Sequence, residues 1–229
     1  MSKEIIFTNV FGFDFFPPKP AVKEIPEWYI NTEEYIGEQG KKVIIPGDTV
    51  HTIKKCMPVF DTITAGYILY TQVDIQVSTL DGFPCYTWSD QDAISFHPIE
   101  QATLHPVKNE AAYAKWNNPY AITTPPGYSV LFTQPMHRKS VFTILEGIVD
   151  TDTYRAPVRF PFVLKDNKWE GIIPAGTPMA QIIPFKRESW KHKIGSDKEL
   201  IDQEKIRRKL KTLFFNSYKR QFWSPKQYR

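Results

Sequence analysis

Short runs of alternating hydrophobic and polar residues fill the middle of the chain. β-branched and aromatic residues dominate these runs, which predicts strands. The predicted strands are 67–77, 130–132, 141–145, 158–164 and 180–183. Turn signals such as Asp81-Gly82 and Pro125-Pro126-Gly127 separate them. The pattern therefore predicts a mainly β domain over residues 43–190, built as a barrel or a sandwich.

The residues before this domain, 1–42, predict an extended N-terminal arm. Five phenylalanines precede a proline-rich stretch, Pro17–Pro20, which favours an extended backbone. These phenylalanines are Phe7, Phe11, Phe13, Phe15 and Phe16. So many aromatic side chains are a liability in water, so we expect them to pack against the body or against another subunit.

The residues after the domain, 191–229, predict a basic amphipathic helix. Ser196 and Glu199 have the spacing of a capping box at its start. Ile206, Leu210, Leu213 and Ser217 then form one stripe on a helix of about 20 residues. We expect the stripe to pack on the body. The alternative is that the basic surface binds nucleic acid or an acidic partner.

Charge and composition indicate whether the chain enters a membrane and whether its cysteines form disulfides. The net charge is +4, yet Ser196–Arg229 holds ten basic and four acidic residues, so the remaining chain is slightly acidic. No apolar run is long enough for a transmembrane helix, and Met1–Glu4 does not begin a secretory signal. We therefore expect no membrane association, a reducing compartment, and free thiols at Cys56 and Cys85.

Three stretches resemble motifs of one known family. They are Ala65-Gly66-Tyr67, the block from Gly147 to Arg155, and Pro174–Ile183 with its Ala180-Gln181-Ile182 core. In order and spacing they resemble the dUTPase and dCTP-deaminase superfamily, with a good match over about a quarter of the chain. The resemblance implies a dUTPase-like β-fold and, if subunit packing is shared, a homotrimer.

The resemblance also implies residue roles. Asp150 would activate the attacking water as catalytic base, and Tyr154 would stack on the deoxyribose. Gln181 would bind phosphate, and Arg138 stands in for the family's phosphate-binding Arg-Ser-Gly motif. No protein-bound cofactor is expected. Magnesium would be required only if the chain is a hydrolase, and it would be held on the substrate phosphates.

The chain departs from the family pattern at several points. Thr153 is inserted between Asp150 and Tyr154, and Ile68 stands where the family has aspartate. The glycine-rich C-terminal lid that closes over a triphosphate is absent. These departures favour a retained fold with a non-catalytic site. Asp150 and Asp152 could equally stabilise a tight turn, and Gln181 could satisfy buried backbone groups.

Other stretches resemble uncharacterised proteins of tailed bacteriophages. They are Phe13–Ala21, Pro125–Pro135 and Gly147–Asp152. The leading hypothesis is a phage-type structural or assembly protein, a homo-oligomer with other phage proteins as partners, in the host cytoplasm or the virion. The alternatives are a deoxynucleoside-triphosphate pyrophosphatase or deaminase, and a nucleic-acid-binding accessory protein. His97 and His105 flank Glu100, but each precedes proline, so no metal site is predicted.

Overall fold

The computed structural model describes residues 3–12, 16–36, 44–45, 48–49, 51–89, 92–98, 100, 113–212 and 217–229. Its strands are β1 Ile6–Asn9, β2 Lys19–Pro20, β3 Ile44–Ile45, β4 Asp48–Thr49, β5 Tyr67–Tyr70, β6 Ile75–Leu80, β7 Phe83–Trp88, β8 Ile94–His97, β9 Tyr113–Thr123, β10 Tyr128–Thr133, β11 Phe142–Ile144, β12 Gly147–Val149, β13 Pro157–Leu164, β14 Gly171–Ile173 and β15 Pro178–Lys186. Its helices are α1 Glu27–Asn31, α2 Met57–Thr64, α3 Asp197–Thr212 and α4 Ser217–Gln221, with short 3₁₀ turns at Ala21–Lys23 and Ile53–Lys55.

Three antiparallel sheets account for most of the described strands. The first has the order β1-β9-β13-β11, with β8 also paired to β9. The second has the order β12-β10-β15-β5-β2, and the third has the order β14-β6-β7. Across the described ranges none of these sheets closes into a barrel. The prediction of a mainly β chain is therefore confirmed, in the form of open sheets.

One hydrophobic core joins the three sheets. In the first sheet the Trp116 and Phe162 rings stack with their centroids 4.4 Å apart. Phe132 of the second sheet lies 5.0 Å from Phe160 of the first. The buried Ile75 of the third sheet belongs to the same cluster. Large aromatic side chains that alternate inward from facing sheets fill such a core densely.

The N-terminal arm is part of both large sheets. β1 pairs with β9, and β2 pairs with β5. Phe7 is half-buried and meets Tyr67 edge to face at 5.2 Å, whereas Phe11 and Phe16 are 52% and 44% exposed. Burial of those two rings against another subunit stays a prediction. Phe13 and Phe15 lie outside the described residues.

The longest strand, β9, changes its partner midway. One edge pairs with β13, and the other pairs first with β8 and then with β1. Between these two partners the register with β13 shifts, which marks a β-bulge around Asn117–Pro119. The Asn118 side chain bonds both the amide and the carbonyl of Tyr120, at 3.2 and 2.7 Å, and so fixes the bend.

The C-terminal region leaves the body and then returns to it. Every residue from Phe185 to Leu210 is exposed, including Ile206 at 43% and Leu210 at 37%. The prediction that this stripe packs on the body is therefore wrong for Ile206 and Leu210, and Leu213 lies outside the described residues. The α3 helix has the predicted capping contact, a bond from the Ser196 amide to Glu199 at 2.9 Å.

The last residues dock on the body next to α2 and β5. Trp223 donates its indole N–H to both Asp61 carboxylate oxygens at 3.0 Å, and Lys226 ion-pairs with Asp61 at 2.7 Å. Tyr228 packs edge to face on Tyr67 at 6.1 Å. No helix in the described part of the chain is long and apolar enough to cross a membrane.

Candidate functional site

Residues 150–154, here called the aspartate turn, follow β12 directly. The amides of Thr153 and Tyr154 both donate to the Asp150 carbonyl, at 3.1 and 2.8 Å. Thr151 is fully buried, and its hydroxyl lies 2.7 Å from that of Thr124. Short Asp and Thr side chains favour such turns because they bond nearby groups. The segment is therefore a tight, internally bonded turn.

Arg187, at the end of β15, contacts both carboxylates of this turn. Its guanidinium bonds both oxygens of Asp152, one of them at 2.9 Å, and lies 3.1 Å from Asp150 Oδ1. The same guanidinium donates to the Ser129 hydroxyl at 3.0 Å. Two-pronged contacts between arginine and carboxylate are among the strongest polar contacts in proteins.

Asp152 is the more enclosed of the two carboxylates. It is 8% exposed, and it also accepts a hydrogen bond from the Gly127 amide at 2.8 Å. The hydrogen bond from Arg187, followed by that from Gly127, lowers the pKa of Asp152 from its ordinary value of 3.8 to about 2. Asp152 therefore ties the Pro-Gly turn before β10 to the end of β15.

Asp150, the residue that the resemblance implies as catalytic base, faces a different set of groups. Its side chain is 59% exposed, and Oδ1 accepts the Ser129 hydroxyl at 2.6 Å. That oxygen thus has two partners, Ser129 and Arg187. A base that activates water needs an oxygen free to reach the water within hydrogen-bond distance.

Tyr154 lies away from these contacts. Its side chain is 51% exposed and lines a cavity of about 690 Å³ over the β9 bulge. Asp150, Gln181 and Arg138 do not line this cavity. The Tyr154 amide therefore bonds the Asp150 carbonyl, but the two side chains lie apart. The Asp150 side chain contacts Ser129 and Arg187, whereas the Tyr154 side chain lines the cavity.

Gln181 is completely buried in β15, and its amide group is fully engaged. Its Oε1 accepts the Met136 amide at 2.9 Å, and its Nε2 donates to the carbonyls of Thr62 and Ala65 at 2.8 and 2.7 Å. Its partner across the ladder, Thr133, is four residues from Ser129 on β10. That separation is roughly 13 Å at the strand rise. Gln181 therefore cross-links three segments at a distance from Asp150.

Arg138 lies in the loop after β10, close to Glu24 and Tyr70. Burial lowers the pKa of its guanidinium, and the nearby Glu24 opposes that shift. Its Nε and Nη2 atoms are buried and have no hydrogen-bond partner in the described part of the chain. The loop itself is fixed by the Trp28 indole, which donates to the His137 carbonyl at 2.7 Å. Arg138 is thus a half-buried cation, separate from the aspartate turn.

Metal-ligating side chains do not cluster in the part of the chain that the structure describes. No three His, Cys, Asp or Glu residues come together there to hold an ion. His97 ends β8 and lines the same cavity as Tyr154, whereas His105 lies outside the described residues. A magnesium ion held by substrate phosphates needs no such cluster, so this finding does not bear on the hydrolase hypothesis.

The sequence alone does not predict two residues that contact the aspartate turn, Arg187 and Ser129. Arg187 follows Phe185-Lys186 at a strand end, where a basic pair indicates a solvated surface. Ser129 stands in a strand with no charged neighbour in sequence. The one available signal was Asp152, since a carboxylate that is held in a turn beside buried residues needs a counter-charge.

The chain was compared with protein-family models and with curated proteins. No family model matches the chain, and no curated protein matches it either.

Proposed function

We propose that this chain is a non-catalytic structural protein of phage type that assembles into a homo-oligomer. The observation that carries the proposal is the exposed C-terminal segment, residues 185–210. Within it Trp190 is 86% exposed and Ile194 is 89% exposed. Large apolar side chains so far out of the body are typical of surfaces that a partner covers.

The segment is held at both of its ends. Arg187 is fixed by the aspartate turn at the start, and Trp223 is fixed by Asp61 after it. Between these anchors α3 has 16 residues, which is about 24 Å of helix. An isolated helix of this length is marginal in water, so a partner surface would stabilise it.

The charges on α3 favour a second copy of the chain as that partner. Its first half, 197–204, carries four acidic residues and one lysine, whereas its second half, 205–212, carries five basic residues and no acidic one. The acidic half of one copy can therefore lie against the basic half of another. An acidic surface that faces a basic surface of another copy can form either a two-fold contact or the head-to-tail contact of a ring.

The arm offers further apolar surface to the same assembly. Phe11, Phe16, Trp28 and Ile30 are all exposed, between 36% and 57%. A neighbouring subunit that covered these side chains would remove their unfavourable exposure to water. We extend the proposal to a trimer if the dUTPase-like resemblance extends to subunit packing, and to other phage proteins as further partners in the host cytoplasm or the virion.

The contacts of the would-be catalytic residues support the non-catalytic part of the proposal. Asp150 Oδ1 is already engaged by Ser129 and Arg187, so only Oδ2 could hold a water, and the Gln181 amide has no donor left for a phosphate. Tyr154 lines a cavity that Asp150 does not line. We therefore propose that the dUTPase-like residues now stabilise the fold.

The test of assembly is the mass of the full chain in solution, measured by light scattering. We expect the unmodified protein to be a homo-oligomer and the double variant W190S/I194S to lose mass or precipitate. The control is K191S/K193S, which changes two exposed polar neighbours in the same segment and should keep the mass. A monomeric unmodified protein, or an unchanged mass in W190S/I194S, would contradict the proposal.

The test of the non-catalytic part is the release of pyrophosphate from each deoxynucleoside triphosphate with magnesium. We expect no release by the unmodified protein. Release that Asp150→Ala abolishes while the fold is kept would replace this proposal by the hydrolase, since a base on water contributes roughly 100- to 10,000-fold.

A further inference from the structure

The cavity over the β9 bulge has the form of a binding site. Its volume of about 690 Å³ is within the usual range for small-molecule pockets. It lies where β9 exchanges β8 for β1 as its edge partner, so the bulge leaves room that a regular ladder would fill. We call it the β9 pocket.

The polar wall of the β9 pocket carries a buried cation. Lys115 lines the pocket and is only 8% exposed. Among the described residues no salt bridge or side-chain hydrogen bond neutralises its ammonium group. A cation on a largely desolvated side chain attracts an anion more strongly than one in open water, so this position favours a negatively charged ligand.

Two more donors belong to the same wall. The Asn117 Nδ2 atom is buried and has no hydrogen-bond partner among the described residues, while its Oδ1 accepts the Ser95 hydroxyl at 2.8 Å. Arg159 on β13 is the register partner of Asn117 and also lines the pocket. Residues opposite each other on antiparallel strands share one face, and so does Lys115, two residues before Asn117.

Among the described residues, Lys115 and Arg159 are the two basic residues other than His97 that line the pocket, and Asp92 is the one carboxylate. No ion pair joins Asp92 to Lys115 or Arg159 in that part of the chain. The charges of the described lining therefore favour a negatively charged ligand.

The rest of the described lining is largely apolar and partly aromatic. It includes Phe11, Val149, Tyr154, Pro157 and Val158. A flat ring can lie against such side chains, and it would cover rings that are now half exposed to water.

We propose that the β9 pocket binds a small organic anion that carries a flat ring. The acidic group, a phosphate ester or a carboxylate, is bound by Lys115, Asn117 and Arg159, and the ring packs on the wall around Tyr154. The proposal does not depend on assembly through the C-terminal segment, and it assigns no catalytic role to Asp150.

The test uses calorimetric titration of the full chain with four probes. They are phenyl phosphate, benzoate, inorganic phosphate and benzyl alcohol. We expect phenyl phosphate or benzoate to bind at least tenfold more tightly than uncharged benzyl alcohol and than inorganic phosphate, which has no ring. Tighter binding of phenyl phosphate identifies a phosphate ester as the ligand class, and tighter binding of benzoate identifies a carboxylate.

The variant Lys115→Met removes the charge and keeps the length of the side chain. We expect it to weaken binding of the acidic probe about tenfold or more, since charge-assisted hydrogen bonds are lost. Without probe its melting temperature should rise, because an unpaired buried charge has been removed. Lys168→Met, an exposed lysine in the turn after β13, is the matched control and should change neither quantity.

Two results would overturn the proposal. One is that neither acidic probe binds more tightly than benzyl alcohol up to about 10 mM, which is weaker than ordinary specific binding. The other is unchanged affinity in Lys115→Met. If Lys115→Met fails to fold, the exposed Arg159→Met decides instead, with a severalfold loss of affinity expected and no loss overturning the proposal.

Discussion

Replacing Gln181 by methionine tests whether this residue is a structural cross-link or a phosphate ligand. Methionine has nearly the same shape and length, so packing in β15 is largely kept. The three hydrogen bonds of the amide group are lost, and the Met136 amide and the Thr62 and Ala65 carbonyls lose their partner. If Gln181 is a structural cross-link, the variant is destabilised. If it is only a phosphate ligand, stability is unchanged.

The expected loss in the free energy of unfolding depends on how many buried polar groups are left without a hydrogen-bond partner. A buried polar group without a partner costs about 1–3 kcal/mol. Gln181 is 0% exposed and serves three backbone groups, and local rearrangement relieves part of the cost. We therefore expect the free energy of unfolding to fall by about 3–6 kcal/mol. In a chain of this size that lowers the melting temperature by roughly 6–20 °C.

The assay is urea unfolding at one fixed protein concentration, because assembly makes stability concentration-dependent. The matched control is Gln72→Met. Gln72 also makes three hydrogen bonds to backbone groups, two to Phe16 and one to Tyr70, but it is only half-buried, so water can replace its amide. We expect a loss near 1 kcal/mol for Gln72→Met, the value of one typical net hydrogen bond. Equal losses in the two variants, or a loss in Gln181→Met below about 1 kcal/mol, would refute the reasoning.

Two further predictions concern the backbone and the aspartate turn. Gly66→Ala should prevent stable folding, because a Cβ at Gly66 would lie 1.8 Å from the Ile182 carbonyl oxygen at a φ of +67°. Gly82→Ala has a similar φ of +82° and open space, so it should lose only about 1–2 kcal/mol, and equal melting temperatures would contradict this account. The lowered pKa of Asp152 means that its bonds stabilise the fold above its ordinary pKa of 3.8 and are lost as the pH falls toward 2. The gap in urea midpoint between the unmodified protein and Asp152→Asn should thus be full at pH 5 and shrink below pH 4, and a gap independent of pH would contradict it.

The β character was predictable because it rests on local alternation, but the longest strand was not found. β9 contains Asn117-Asn118-Pro119, which as a sequence indicates a turn. Here the proline lies in a bulge at the change of edge partner, and its carbonyl accepts the Val10 amide at 3.1 Å. Its missing N–H therefore breaks no ladder bond that a continuous partner would need. Pairing with β1, more than a hundred residues earlier in the chain, and with β13 on the other edge makes this segment a strand.

Long-range pairing also divides what looks like one strand. The pattern predicted a single strand over 67–77, whereas β5 ends at Tyr70 and β6 begins at Ile75, in a different sheet. The break is fixed by the turn before β15, where the Thr71 amide donates to the Thr177 carbonyl at 2.9 Å. The short α2 helix was missed as well. Periodicity shows which side chains share a face, but it does not show where the chain must turn to reach a second sheet.

The α3 helix shows that apolar spacing also fails to predict which surface covers an apolar stripe. Its apolar spacing indicated which residues need cover, and burial against the body was the nearest solution. The structure leaves Ile206 and Leu210 exposed while the chain returns to the body at Trp223. A spacing argument contains no information about what covers a stripe, because the same pattern serves an internal contact and a contact between subunits. Under the proposal of assembly, the separation of acidic and basic residues along α3 favours a second copy of the chain as the cover.

The aspartate turn shows why motif letters alone could not decide between catalysis and structure. An aspartate base and a turn-forming aspartate need the same residue at the same place in the block. What separates them is Arg187, which lies 35 residues after Asp152 and meets it only because β15 runs beside β10. With that guanidinium in place, the two carboxylates fix the end of β15 to the start of β10 and to the Pro-Gly turn before it. Thr153 belongs to the same arrangement, since its amide and hydroxyl both donate to the Asp150 carbonyl at 3.1 Å. These two bonds strengthen the turn, which supports the structural role that we propose for the block.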